Sequence, residues 1–284
     1  MDFRVHEDLE VILELLGMTI QEFATELQVS YSTVARWKEP GEKISPANLE
    51  KIYDYAFKKR IRLNKIKEQL FREECAENHV LLFHGAKTEI SGEISAEKSR
   101  QNNDFGQGFY CGESLEQSAM FVSNYTQSSL YMLDFDKTGL KELRLGVEQD
   151  WMLMIAFFRG KLTEYAAHPM IQKILNRLDG VDYVVAPIAD NRMFQIIDSF
   201  IDGEITDVQC QHCLSATNLG NQYVFRTQQA VNQVQILRRC YLAAAEKEAY
   251  VSVRSEEAKV GNDKVKIARR QYRGQGRYIE DILL

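Results

Sequence analysis

The sequence has no apolar run long enough to cross a bilayer: the longest, Trp151 to Phe158, spans 8 residues, where about 20 are needed. Its opening residues, Met1 to Asp8, hold no basic region followed by an apolar stretch, so the expectation is a cytoplasmic protein with no membrane partner. Cysteine is scarce, 5 in 284 residues, too few and odd in number for a disulfide framework, so free thiols are expected. No glycine-rich loop followed by Lys-Ser or Lys-Thr occurs, which removes support for nucleoside triphosphate hydrolysis. Internal repeats and low-complexity segments are also missing. Positive charge is in deficit, 35 Lys plus Arg against 41 Asp plus Glu for a net charge of −6. A general basic field for nucleic acid is thereby excluded, and any such contact must be local. What the chain does have is apolar residues, 45% of the total, enough to build a core and, at this length, about two domains.

Charge is uneven along the chain: residues 1–78 carry 12 bases and 15 acids, residues 79–250 carry 15 and 21, and residues 251–284 carry 8 and 5. The first 57 residues read as short helices. Leu9, Ile12, Leu13, Leu15 and Leu16 share helical spacing up to Gly17; Thr19 caps a second helix with Glu22 three residues on; Ser30 caps a third over Tyr31 to Lys38; Ser45-Pro46 opens a fourth through Phe57. Residues 58–78 form a charged connecting helix with a narrow apolar stripe of Leu63, Ile66 and Leu70.

From residue 79 the period changes to short apolar runs. His79 to Gly85 reads as a buried strand, with further strands at Phe109–Cys111, Leu130–Phe135, Tyr183–Ala186, Tyr223–Thr227 and Val234–Leu237. Helical stretches lie at Leu115–Tyr125, Gln149–Phe158, Met193–Phe200 and Asp207–Ala216. The expected class is α+β: a small all-α domain over 1–57, the connecting helix over 58–78, a mixed domain over 79–250 and a basic tail over 251–284.

Helix, tight turn and helix over Thr19 to Trp37 resemble the phage-repressor-type helix-turn-helix family. The resemblance implies DNA binding, with Gln21 at a phosphate and Tyr31, Ser32 and Arg36 on the recognition helix. Arg36, Lys38 and Lys43 are the only bases between Ile12 and Leu49, so the alternative of a helical domain used for protein contacts stays open.

Three further stretches stand in order: Leu81 to Lys87, containing His84-Gly85; Asp104-Phe105-Gly106-Gln107-Gly108-Phe109-Tyr110, running on through Ser118 to Phe121; and Leu219-Gly220-Asn221-Gln222-Tyr223-Val224-Phe225. Singly they are ordinary. Together they resemble the diphtheria-toxin-like and poly(ADP-ribose)-polymerase-like ADP-ribosyltransferases, including an uncharacterised bacterial branch of that superfamily. The resemblance implies a split β-sheet domain that takes NAD as substrate. His84 would hold the adenine-ribose hydroxyls, and Gly85 would offer its backbone to the nicotinamide carboxamide. Tyr110 and Phe121 would sandwich the cationic nicotinamide ring, and Ser118 would meet the carboxamide. The stretches are expected to converge on one dinucleotide slot.

The third motif departs from the family, holding neutral Gln222 where the family has a glutamate that grips the ribose and stabilises the developing cation. Transfer of a single ADP-ribose unit to a protein or nucleic-acid acceptor is therefore expected rather than polymer, and Gly220 argues against an arginine acceptor. Two alternatives remain: a regulator that senses NAD or ADP-ribose without turnover, and an NAD glycohydrolase. Asp190 and Glu204 are candidate substitutes for the missing acid, or a helix cap and a turn acid; Arg192 is a candidate pyrophosphate partner, or plain surface. Cys210-Gln211-His212-Cys213 has metal-ligand spacing but no second pair follows, so no metal is expected. The tail from Lys264 to Arg277 interleaves bases with tyrosines, as a nucleic-acid track or as a solvated extension. Joined to a helix-turn-helix, such a domain resembles toxin–antitoxin or phage-defence modules, with a cognate antitoxin and a homodimer among the expected partners.

Overall fold

A computed structural model describes residues 2–217 and 220–283. In chain order the first helices are α1 (Val5–Leu16), α2 (Ile20–Leu27), α3 (Tyr31–Trp37), α4 (Pro46–Lys58) and α5 (Leu63–Glu74). Then come β1 (His79–Ala86), β2 (Phe109–Gly112), α6 (Leu115–Val122), β3 (Ser129–Asp136), β4 (Glu142–Arg144), α7 (Gln149–Phe158) and α8 (Pro169–Leu175). The chain continues with β5 (Tyr183–Pro187), α9 (Asn191–Ile201), α10 (Asp207–Ser215), β6 (Asn221–Phe225), α11 (Gln228–Asn232) and β7 (Val234–Cys240). Last are α12 (Ala244–Gln271) and α13 (Ile279–Leu283). The class is mixed α+β. None of these helices is long and apolar enough to cross a membrane.

The chain divides into two compact units that do not follow the expected cuts at 57, 78 and 250. The first holds residues up to Ser91, Leu115–Asp136 and Gln235–Val253. The second holds Gly92–Ser114, Lys137–Val234 and the chain from Arg254 onward.

In the first unit the front helices form where local chemistry dictates. Thr19 accepts from the Glu22 amide while the Glu22 carboxylate accepts from the Thr19 amide, a closed capping box. Ser30 caps α3 through the Thr33 amide, and Ser45 caps α4 with Pro46 in its first turn. Phe23, Ala24, Val34, Trp37, Leu49 and Ile52 fill their shared core. Strands β1 and β3 pair antiparallel, His79 opposite Asp136 and Ala86 opposite Ser129, with β7 beside β3. A second apolar cluster joins Leu81 and Phe83 of β1 to Leu115, Ala119 and Val122 of α6.

Helix α5 departs from expectation. It buries Leu63, Asn64, Lys67 and Glu68, while Leu70, expected in its apolar stripe, is 49% exposed. The reason is a group of charges that the spacing of α5 alone does not reveal: Lys67 lies 2.7 Å from Asp8 of α1, Arg238 of β7 pairs with the same Asp8 and with Glu7, and the Tyr53 hydroxyl donates to Asp8. Asn64 donates to the main-chain oxygen of Tyr241 at 3.0 Å and to Glu246. A charged helix face is buried because its partners are buried with it.

In the second unit the strands lie in the order β4-β5-β6-β2. β4 and β5 run parallel, and β6 runs antiparallel to both β5 and β2. Helix α7 is buried along its length, Trp151 to Ala156 being the centre of a core that also takes Val184, Ile197, Phe200 and Leu214. The expected basic tail is no free extension. Residues 264–271 belong to α12, Ala268 and then Ile279, Ile282 and Leu283 enter that core, and Tyr272 stacks on His212 at 3.5 Å. Periodic apolar residues interleaved with the bases supply this packing, and net charge hides it.

Candidate functional site

In the first unit, His84 and Gly85 sit near the end of β1, opposite Tyr131 and Leu130 of β3. Both are half-buried. The His84 ring lies 6.5 Å from that of Tyr131, whose hydroxyl accepts from the Ile90 amide at 2.9 Å. Gly85 is obligatory for a packing reason: a Cβ there would come within 2.8 Å of the Ser118 carbonyl oxygen and of Val122. Helix α6 thus lies directly on the strand's glycine. The same approach brings Phe121 to 3.5 Å from that Cβ position, and Phe121 is 53% exposed, an aromatic face presented beside bare backbone. Ser118 is buried and donates to the Phe83 carbonyl at 3.4 Å. Gly85, Ser118 and Phe121 are therefore brought together by one contact, β1 against α6, while the His84 side chain, next on the strand, lies on the opposite face with Tyr131.

In the second unit, β2 and β6 place Tyr110 opposite Val224 and Gly112 opposite Gln222. Opposed residues, and residues two apart on a strand, point to the same face. Tyr110 and Gln222 therefore share one face. Both reach back to one segment. The Tyr110 hydroxyl accepts from the Phe105 amide at 3.1 Å and donates to the Gly106 carbonyl at 2.7 Å. Gln222 Nε2 donates to Asp104 Oδ2 at 2.9 Å and to the Pro187 carbonyl at 3.2 Å. The turn they clip down depends on its glycines: Gly106 has φ +76° and faces Phe158, and Gly108 approaches the Phe225 carbonyl oxygen, where a Cβ would stand 2.9 Å away. Burial raises the Tyr110 phenol well above its ordinary pKa, so it is a neutral hydroxyl at neutral pH. Gln222 lies inside β6, which starts two residues earlier than the strand expected from 223; Thr227 leaves the strand to cap α11. Leu219, first residue of that motif, is outside the described residues.

Asp104 is the residue sequence reasoning missed as a site. It is buried, and its other oxygen accepts from Arg159 Nε at 2.8 Å. Arg159 in turn donates to the Ala189 carbonyl at 3.0 Å, its guanidinium 4.3 Å from the centre of the Phe194 ring. A second acid, Glu113, accepts from the Asn221 amide at 2.9 Å and lies against Gly220, whose Cβ position is 3.3 Å from its Oε1. Each acid stood inside the second quoted stretch, but nothing local pointed it at residues more than a hundred positions on. The two acids proposed from sequence do other work. Asp190 caps α9 through the Arg192 and Met193 amides and pairs with Arg192 at 3.2 Å. Glu204 is exposed in a turn, 3.9 Å from Arg269.

On the front helices, Gln21, Tyr31, Ser32 and Arg36 all stand exposed. Arg36 pairs with Glu42 at 3.0 Å, and the Ser32 hydroxyl is 2.9 Å from that of Ser30. The Cys210 and Cys213 thiols are buried against the Ile196 and Val265 carbonyls. No His, Cys, Asp and Glu grouping fit for a metal occurs among the described residues.

No curated protein and no solved structure matches this chain. A family profile does, over residues 80–236, from β1 to the start of β7, which takes in His84, Gly85, Tyr110, Ser118, Phe121 and Gln222 and leaves out the front helices. By that match the chain belongs to the family described as "Protein of unknown function (DUF3990)".

Proposed function

We propose that the chain is an NAD-dependent mono-ADP-ribosyltransferase. The observation that carries this reading is that Tyr110 and Gln222, 112 residues apart in the sequence, share one face of the paired strands β2 and β6 and grip the same turn. The first unit supports it with a bare glycine backbone and the exposed Phe121 ring at the end of β1. In the reaction, the bond between the nicotinamide nitrogen and the ribose C1′ breaks with its electron pair going to nicotinamide, which leaves neutral. An acceptor nucleophile then bonds C1′ and loses its proton. By the resemblance, His84 and Gly85 of the first unit serve the ribose and carboxamide and Phe121 offers a ring face to a cation; in the second unit Tyr110 offers another, and the Gln222 amide oxygen accepts from a ribose hydroxyl and faces developing positive charge. The front helices, with Gln21, Tyr31, Ser32 and Arg36 exposed, bring the activity to DNA or to a protein partner, in the manner of a toxin–antitoxin or phage-defence module.

A second reading, an NAD sensor without turnover, is favoured by one residue, the neutral Gln222. Free nicotinamide released from NAD by the full chain separates the two. The transferase reading expects release that falls about a hundredfold or more in Tyr110→Ala and in His84→Ala. Saturable NAD binding with no release supports the sensor. Free ADP-ribose accumulating without a labelled macromolecule identifies a glycohydrolase.

A further inference from the structure

The Gln222 side chain has two acceptors in front of its nitrogen, the Asp104 carboxylate and the Pro187 carbonyl. An amide facing two acceptors can present only its NH2 to them. Its orientation is thereby set, and the amide oxygen is the end left over, with no partner among the described residues. Asp104 does not move to suit it: Arg159 holds the opposite carboxylate oxygen, while the Ala189 carbonyl and the Phe194 ring hold Arg159. The result is a relay from half-buried Arg159 to buried Asp104 to buried Gln222 that ends on an oxygen.

We propose that Asp104 is the positioning residue of this site: its carboxylate fixes the Gln222 amide with the oxygen outward and polarises it, so that a neutral glutamine does the work of the missing glutamate. A carboxylate accepting from an amide N–H draws that hydrogen and pushes electron density onto the amide oxygen, as linked hydrogen bonds do in a dry environment. The ribose hydroxyl and the sugar cation then meet a stronger acceptor than an isolated amide. The negative charge is present, one side chain behind the place where the family keeps it. This inference rests on the transferase reading and adds to it the device that lets glutamine serve.

The relay predicts that the pair, and not either residue, tolerates exchange. In Gln222→Glu two carboxylates face each other at the distance now held by a hydrogen bond, so restoring the family's acid impairs the enzyme. In Asp104→Asn, Arg159 takes the new amide's oxygen and its NH2 turns toward Gln222, inverting the outward amide. In the double variant that NH2 donates to the carboxylate introduced at position 222, and the motif regains an oxygen acceptor. The test is steady-state nicotinamide release from NAD by the full chain in all four forms, with urea unfolding of each. Expected are kcat losses of about tenfold or more in each single variant with KM changed less than about threefold, and recovery in the double variant to within about threefold of the parent. Additive losses in the double variant, or single variants as active as the parent, overturn the proposal and leave the transferase reading standing. No nicotinamide release by the parent chain overturns that reading and the proposal with it. Unfolding midpoints separate lost fold from lost positioning: a purely structural Asp104 lowers stability and kcat together and shows no recovery on exchange.

Discussion

Each unit buries an aspartate that meets at least one cation, and the two arrangements differ in where they end. In the first unit Asp8 meets Lys67, Arg238 and the Tyr53 hydroxyl, groups supplied by α5, β7 and α4. The aspartate is enclosed by partners from three other elements, and its effect is to fasten the front helices to the strand beside them. In the second unit Asp104 meets one arginine and one amide, and the amide hands the polarity on to an oxygen that has no protein partner among the described residues. Buried charge serves as a fastener where the partners enclose it and as a positioning device where the relay stops at an open acceptor. A buried ion pair is weak grounds for stability in itself, because desolvation offsets much of the attraction. Its cost is felt when one partner goes.

The largest expected effect follows from that. Arg238→Ala leaves Asp8 buried beside a single cation and is expected to cost about 3–5 kcal/mol in urea unfolding. A loss below about 1 kcal/mol would erase the distinction drawn between the two aspartates, since surface-like pairs cost that little.

Next in size is a pH effect at the edge of the same group. Burial holds the Glu246 carboxyl at about 7, against the opposing pull of Asn64, Lys67 and Arg62. The folded protein therefore keeps a proton that the unfolded chain has given up above the ordinary value of 4.5. Stability is fullest below that value and declines as pH rises through 7, by up to about 3 kcal/mol at about 1.36 kcal/mol per unit. Denaturant midpoints measured from about pH 4 to 8 check this, and Glu246→Gln should flatten the profile.

The smallest of the three concerns the contact of β1 with α6 in the first unit. Gly85→Ala must push Ser118 and Val122 apart from β1, a loss of about 1–3 kcal/mol by overpacking. Unchanged unfolding in this variant would show that α6 does not rest on the glycine.

What the sequence made legible was local. The caps at Thr19 and Ser30 join residues three apart, and β1 announced itself as a continuous apolar run, so these elements stand where periodicity and cap chemistry put them. The charged relations were not legible for the opposite reason. Asp104 and Gln222 are 118 residues apart and Asp8 and Arg238 are 230 apart, and no spacing rule connects such pairs. The same gap explains α5, where an apolar stripe was legible and the buried Asn64, Lys67 and Glu68 were not, and the final helices, whose apolar residues were outvoted by their bases. The motif residues occupy an intermediate position. Their order suggested shared work, and the register of β2 with β6 puts Tyr110 and Gln222 on one face, while the acid between them came only from the fold.

Transfer of ADP-ribose from NAD, as proposed, is decided by incubating the chain with NAD labelled separately in its nicotinamide and adenylate halves. A transferase gives free labelled nicotinamide and, in equal amount, adenylate label fixed to a macromolecular acceptor. Intact NAD recovered in full, with neither label displaced, contradicts it.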